Sequence, residues 1–173
     1  MEIVLMGYMG SGKSTIGKSV SERFKLDFID LDSYIEQKEE LSIKEIFTTK
    51  GEIYFRIKEA EYLKEVLESK KNYVLSLGGG TPCYGSNLES IKESNAVSYY
   101  LKANIPTLAT RLQNGKQNRP LIATLNDEQL FEYIGKHLFE RAPYYEQSEF
   151  KININDNSVE EVSNAISATL DKQ

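Results

Sequence analysis

Eight consecutive residues near the start of the chain, Gly7-Tyr8-Met9-Gly10-Ser11-Gly12-Lys13-Ser14, fit the pattern G-x-x-x-x-G-K-[ST]. Each position answers a need of phosphate binding. The glycines let the backbone turn tightly and aim several N–H groups at one point. Those donors, with the positive end of a following helix, hold anionic oxygens. Lys13 can reach the β- and γ-phosphates as a point charge, and the Ser14 hydroxyl can ligate Mg2+. A chance glycine-rich turn would need neither an apolar strand before it nor a helical pattern after it, and both are present. The segment Gly10, Ser11, Gly12, Lys13, Ser14 and Thr15 therefore reads as the cradle of a nucleoside triphosphate.

A cradle alone does not separate a switch from an enzyme. A GTPase switch would need a guanine-reading N-K-x-D segment, which the chain lacks, and a large motor would need more chain. A small-molecule kinase needs an acceptor pocket and a cover that excludes water. Asp30 and Asp32 lie two apart near the end of a strand pattern, where open parallel sheets collect ligands. If the strand continues that far, both carboxylates share a face. One could help hold Mg2+ through water and the other could act as base toward an acceptor hydroxyl. The alternative is a pair of helix-capping acids. Arg56 offers a fork suited to a carboxylate, oriented by Glu52 or Glu59 on the same helix face, or else an ordinary surface ion pair. Gly78-Gly79-Gly80 follows a strand pattern and leaves room for a ligand against the backbone, although it could also be a plain turn. Arg111, Lys116 and Arg119 flank a polar segment that could close over the phosphoryl group. Arg141 could be a second carboxylate anchor, while His137 reads as structural or exposed and Cys83 as a small thiol in or near the core.

Positioning these residues requires alternating strands and helices. Strand patterns lie at Ile3 to Met6, at Phe28-Ile29 with Leu31, and at Tyr73 to Leu77, Ala96 to Leu101 and Phe150 to Ile154. Helical spacing covers Lys13 to Phe24, Ser33 to Lys38, Ser42 to Thr48, Glu52 to Glu68, Asn87 to Glu93 and Ile105 to Leu112. It resumes at Asp127 to Ala142, where Pro143 should interrupt it, and after a Ser158 cap. Ser42 with Glu45 has capping-box spacing. Gln113 to Thr124 is polar and reads as a lid loop. The alternation implies a parallel sheet with helices on both faces and one domain over 1–173, with substrate-binding helices at about 33–62 and a lid at about 111–124.

The net charge of −5 argues against nucleic acid or an anionic membrane as partner. One cysteine excludes an internal disulfide and a cysteine-based zinc site. With no apolar run long enough for a span, a cytoplasmic location is expected, and no surplus apolar helix face suggests anything but a monomer.

In combination these segments resemble shikimate kinase over nearly the whole chain. The resemblance rests on G-x-x-G-x-G-K-S-T at Gly7 to Thr15, F-x-D-x-D at Phe28 to Asp32 and G-E-x-x-F-R-x-x-E at Gly51 to Glu59. It continues with G-G-G at Gly78 to Gly80, R-P-L at Arg119 to Leu121 and R-x-P-x-Y at Arg141 to Tyr145. It implies a nucleoside-monophosphate-kinase-like P-loop sandwich, α/β, with a five-stranded parallel sheet in order 2-3-1-4-5. The implied reaction moves the γ-phosphoryl group of ATP, with Mg2+, to the 3-hydroxyl of shikimate, a step toward the aromatic amino acids. The resemblance gives Asp32, Arg56, Gly78, Gly79, Gly80 and Arg141 to shikimate, with both arginines on its carboxylate. Ser14, with Asp30 or Asp32, falls to Mg2+, and Lys13, Asp32 and Arg119 to catalysis. Arg119 is implied to touch the ATP phosphates, and Arg111 to flank adenine with the loop near Asn155 to Asn157. The competing readings are a related kinase for gluconate or a nucleotide, and a nucleotide-dependent binding protein that lost the chemistry.

Overall fold

A computed structural model describes residues 1–114 and 122–170. The apolar run after Met1 forms strand β1 (Glu2–Met6), buried from Ile3 onward. A strand covered on both faces suits a parallel sheet. β1 is central: it pairs in parallel with β3 (Tyr73–Ser76) and with β4 (Val97–Lys102). β2 (Asp27–Asp30) adds outside β3 and β5 (Phe150–Asn153) outside β4. The observed order β2-β3-β1-β4-β5 is the one that the resemblance implies.

Helix α1 (Lys13–Phe24) starts from Gly12 in the left-handed region and packs on β3 and on the final helix α8 (Val159–Leu170). Between β2 and β3 lie α2 (Leu31–Glu39), α3 (Ile43–Thr49) and α4 (Gly51–Ser69). Ser42 and Glu45 form the expected capping box on α3. A short 3-10 turn at Thr81–Cys83 and α5 (Asn87–Glu93) follow β3. The helices α6 (Ile105–Gln113) and α7 (Asp127–Tyr145) pack together between β4 and β5. None of the described helices is long and apolar enough to cross a membrane.

Two expectations need correction. β2 stops at Asp30 and α2 begins at Leu31, so Asp32 lies in a first helical turn, not on a continued strand. The cause is Asp30, whose carboxylate accepts from the Ser33 backbone N–H at 3.3 Å and ends the strand by capping the helix. Pro143 does not end α7, which runs to Tyr145. Its missing N–H withholds a helical partner from the carbonyl of Phe139, a residue 85% exposed, so water can supply the lost bond. Helix ends otherwise shift by a residue or two, as where α6 takes in Gln113, which the lid expectation had counted as loop.

The α2–α4 pair is pinned by Glu39, whose side chain is only 6% exposed. Its carboxylate accepts from the Tyr54 and Tyr62 hydroxyls, each at 2.6 Å, and from Lys50 Nζ at 3.1 Å. The two tyrosine hydroxyls, then Lys50, hold its pKa down at about 2. A carboxylate depressed in the folded state adds stability above its unfolded pKa of about 4.3, lost as pH falls toward 2. Glu39→Ala should therefore cost about 1–3 kcal/mol in urea unfolding at pH 7. The deficit should shrink toward pH 2; an unchanged midpoint at pH 7 would refute the pin.

Candidate active site

The parallel register sets the site. Leu5 aligns with Ser76, and Ser76 with Asp30, so β1, β3 and β2 release their chains side by side. The loop after β1 is the glycine-lysine cradle. Ser11 N–H donates to Tyr8 O at 3.1 Å, closing its turn. Lys13 is 9% exposed and folds back over the loop, donating to Gly7 O at 2.8 Å and to Tyr8 O at 3.1 Å. A buried ammonium needs such partners. Here the carbonyls hold it at the cradle mouth, in position to meet phosphate oxygens. The buried Ser11 hydroxyl has no hydrogen-bond partner among the described residues.

Ser14 ties a helix to a strand. Its hydroxyl donates to Asp30 Oδ2 at 2.9 Å, joining the start of α1 to the end of β2. Asp32, two residues on in the first turn of α2, is half-buried. Its pKa is raised to about 6, first by burial, then by the charges of Asp30 and Glu59, with Lys13 pulling the other way. A carboxyl at that value can exchange a proton near neutral pH. Ser14 and the two acids are hard oxygen donors of the kind Mg2+ takes. Among the described residues, no trio of His, Cys, Asp or Glu could cage a metal unaided.

The triple glycine lies where three functional groups come closest to the backbone. A Cβ on Gly78 would sit 3.0 Å from Asp32 Oδ1, and one on Gly80 3.2 Å from Arg56 Nη2. On Gly79 it would sit 3.4 Å from the Met9 backbone nitrogen and 3.5 Å from Arg141 Nη1. Side chains there would occupy the space in which Asp32, Arg56 and Arg141 converge. The Tyr145 hydroxyl donates to Gly79 O and holds this loop from behind.

Arg56 has two candidate partners, and the structure chooses between them. Glu59 Oε2 accepts from Arg56 Nη1 at 2.8 Å, whereas Glu52 stands 3.7 Å from Nε. Glu59 is 1% exposed, and its other oxygen accepts from the Thr81 hydroxyl at 2.7 Å. Thr81 was not marked by any motif. Its signal was only its place directly after the triple glycine. Arg141 comes from α7 and stands 5.8 Å from the centre of the Tyr8 ring. His137, one turn earlier, lies 3.3 Å from the Tyr8 hydroxyl, which fits a structural part.

Two adjoining clefts result. One of about 430 Å3 runs from Lys13, Ser14 and Thr15 past Asp30 and Asp32 to Gly78 and Gly79. The other, of about 320 Å3, lies between Gly12, Arg111, Asn157 and Val159. Arg111 borders both and donates to Ile154 O at 3.0 Å. Ile16, Ile154, Val159 and Val162 give this second cleft apolar walls beside the cradle, which suit a purine base. Lys116 and Arg119, with most of the expected lid, lie outside the described residues.

Comparison with known proteins agrees with this geometry. The family model described as shikimate kinase matches residues 9–171. A shikimate kinase of Flavobacterium johnsoniae is 48% identical over 160 residues, which cover 92% of this chain and 93% of that one. The crystal structure of shikimate kinase from Bacteroides thetaiotaomicron superposes with a TM-score of 0.92 at 35% identity, covering 99% and 98% of the two chains. The Acinetobacter baumannii enzyme, solved in complex with shikimate, gives 0.85 at 32% identity, covering 99% and 93%. A family match across nearly the full length, on a site built this way, means that the chain belongs to the shikimate kinase family and is an ATP-dependent kinase.

Proposed function

We propose that the chain transfers the γ-phosphoryl group of ATP to the 3-hydroxyl of shikimate, through residues of the two clefts together with Arg56 and Arg141, which stand against Gly80 and Gly79 at the edge of the first. The observation that carries this reading is convergence at the triple glycine: an arginine from α4, an arginine from α7 and a carboxyl from α2 meet beside the cradle. Two guanidinium groups beside one neutral-pH base suit a hydroxy acid better than a nucleotide, which would call for more phosphate-binding cations.

In this reading the backbone N–H groups of Gly10 to Thr15 and the start of α1 hold the phosphates. Lys13 bridges to the transferring group and stabilises its charge. Arg56 and Arg141 hold the shikimate carboxylate, and Gly78 to Gly80 bring backbone against the ring. Asp32 accepts a hydrogen bond from the acceptor hydroxyl and takes its proton as the new P–O bond forms and the bond from the γ-phosphorus to the bridging oxygen breaks, that oxygen leaving on ADP. Phosphoryl transfer asks little covalent chemistry of the protein, so placing the hydroxyl in line is the larger contribution. Ser14, with Asp30 or Asp32 through water, would hold Mg2+, which when bound neutralises charge on the β- and γ-oxygens. Arg111 and Asn157 would flank the base. Arg119 is assigned to the phosphates on the family pattern alone.

The direct test is ADP release with Mg-ATP as shikimate is added. Shikimate-dependent turnover is expected, with much weaker turnover on gluconate or AMP; none on shikimate would overturn the assignment. Arg56→Ala should lose roughly 2–5 kcal/mol of apparent shikimate binding, as truncation of a desolvated charge contact does. An unchanged KM for shikimate would remove Arg56 from that role.

Asp32 gives a second, thermodynamic prediction. Its pKa of about 6 in the folded chain exceeds the ordinary 3.8, so the folded state binds the proton more tightly. Stability is then highest below about pH 3.8 and is lost as pH rises through about 6. Asp32→Asn removes that charge. The ligand-free variant should be about 1–2 kcal/mol more stable than wild type at pH 7.5, with the gain shrinking toward pH 4. It should also lose about 10²-fold or more in kcat. Thermal melts across pH with kinetics would decide, and a variant less stable than wild type at pH 7.5 would contradict the electrostatic picture.

A further inference from the structure

The guanidinium of Arg56 is tied at one edge and covered on one face, and its Nε is buried with no hydrogen-bond partner among the described residues. One edge is tied to Glu59 at 2.8 Å. Nη2 has no hydrogen-bond partner among the described residues and lies against Gly80. One face is covered by the Tyr84 ring, with the guanidinium carbon 3.7 Å from the ring centre. That is stacking distance, and a planar cation held on an aromatic face keeps its plane. The Tyr84 hydroxyl contributes little, since its distance to Glu52 is 3.5 Å.

The Tyr84 ring is itself well placed to act as a support. The chain between the triple glycine and α5 is closed by a run of short bonds. Thr81 N–H donates to Gly78 O at 3.1 Å and Cys83 N–H to Gly80 O at 2.9 Å. Asn87 donates from its side chain to Thr81 O at 2.9 Å. Pro82 stiffens the same turn. A Cβ on Gly80 would stand 3.4 Å from Tyr84 Cε2, so turn, ring and guanidinium are in mutual contact. One short turn thus grips the Arg56–Glu59 pair twice: Thr81 holds the carboxylate and Tyr84 holds the cation.

We propose that Tyr84 is a positioning residue for carboxylate recognition: its ring fixes the plane of the Arg56 guanidinium, so that Nη2 is presented to the acid without a search among rotamers. This rests on the reading of Arg56 as a carboxylate anchor. A directional hydrogen bond from a planar cation is lost when its plane swings, so the effect belongs to acceptor binding and not to ATP binding or the chemical step.

The test is steady-state kinetics of Tyr84→Phe, Tyr84→Leu and Tyr84→Ala, each alone and combined with Arg56→Ala. Tyr84→Leu keeps apolar bulk without the aromatic face. Both Tyr84→Ala and Tyr84→Leu should raise the shikimate KM about 5- to 20-fold, with kcat and the ATP KM within about twofold. Tyr84→Phe, which keeps the face, should restore the shikimate KM. On the Arg56→Ala background, the Tyr84 changes should add less than about twofold, because the group they position is gone. Arg56→Ala raising the shikimate KM while Tyr84→Ala or Tyr84→Leu does not would overturn the positioning role alone. Equal losses for shikimate and ATP, or full additivity with Arg56→Ala, would also overturn it. Arg56→Ala leaving the shikimate KM unchanged would instead defeat the underlying reading of Arg56.

Discussion

A buried lysine in an acidic chain is the constraint on which the rest of the structure depends. Lys13 is almost enclosed, in a protein of net charge −5. Burying an ammonium is costly unless its protons are met, and the carbonyls of Gly7 and Tyr8 meet them. Those carbonyls can do so only if the loop curls back over the start of α1, which requires the left-handed turns at Gly10 and Gly12. The loop is in turn held by the central strand of the sheet. Phosphate recognition thus comes from backbone donors and one placed cation, and an acidic surface is no obstacle to it.

From that fixed point the parallel register determines what stands next to the cradle. Leu77 N–H donates to Leu5 O at 3.1 Å, so the triple glycine leaves β3 alongside the cradle leaving β1. Gly79 then separates the cradle from Arg141 by the width of a backbone, and Ser14 reaches across to Asp30. The donor and acceptor halves therefore share a wall. This geometry also explains why Asp32 is uncomfortable. It is half-buried beside the carboxylates of Asp30, Glu59 and Glu36, with Lys13 pulling the other way, an arrangement that spends stability at the site where a base is proposed.

Much of this was legible in residue types. The cradle could be read because its glycines, lysine and serine stand at offsets dictated by phosphate geometry. The sheet could be read because short apolar runs alternated with helical spacing. What escaped depended on a competition that spacing does not record. Asp30 and Asp32 looked equivalent two residues apart, yet Asp30 capped α2 and left Asp32 in the first turn of the helix. Pro143 signalled a helix end, but it fell in the last turn, behind an exposed residue. Glu52 four residues before Arg56 and Glu59 three after it were both within reach on one helix face, and the choice came from Thr81, over twenty residues away in the chain. Tyr84 carried no motif at all, because its contact with Arg56 exists only once α4 and the turn after β3 have packed together.

The central claim is that one site, built on two neighbouring glycine loops, recognises the acceptor through its carboxylate. An equilibrium titration of the wild-type protein with shikimate and with its methyl ester, without nucleotide, tests that most directly. The ester keeps the ring and its hydroxyls, removes the negative charge and adds one methyl group. The account predicts that shikimate binds and that the ester binds at least about tenfold more weakly, as loss of a charge-assisted contact requires. Equal affinity for acid and ester would contradict it.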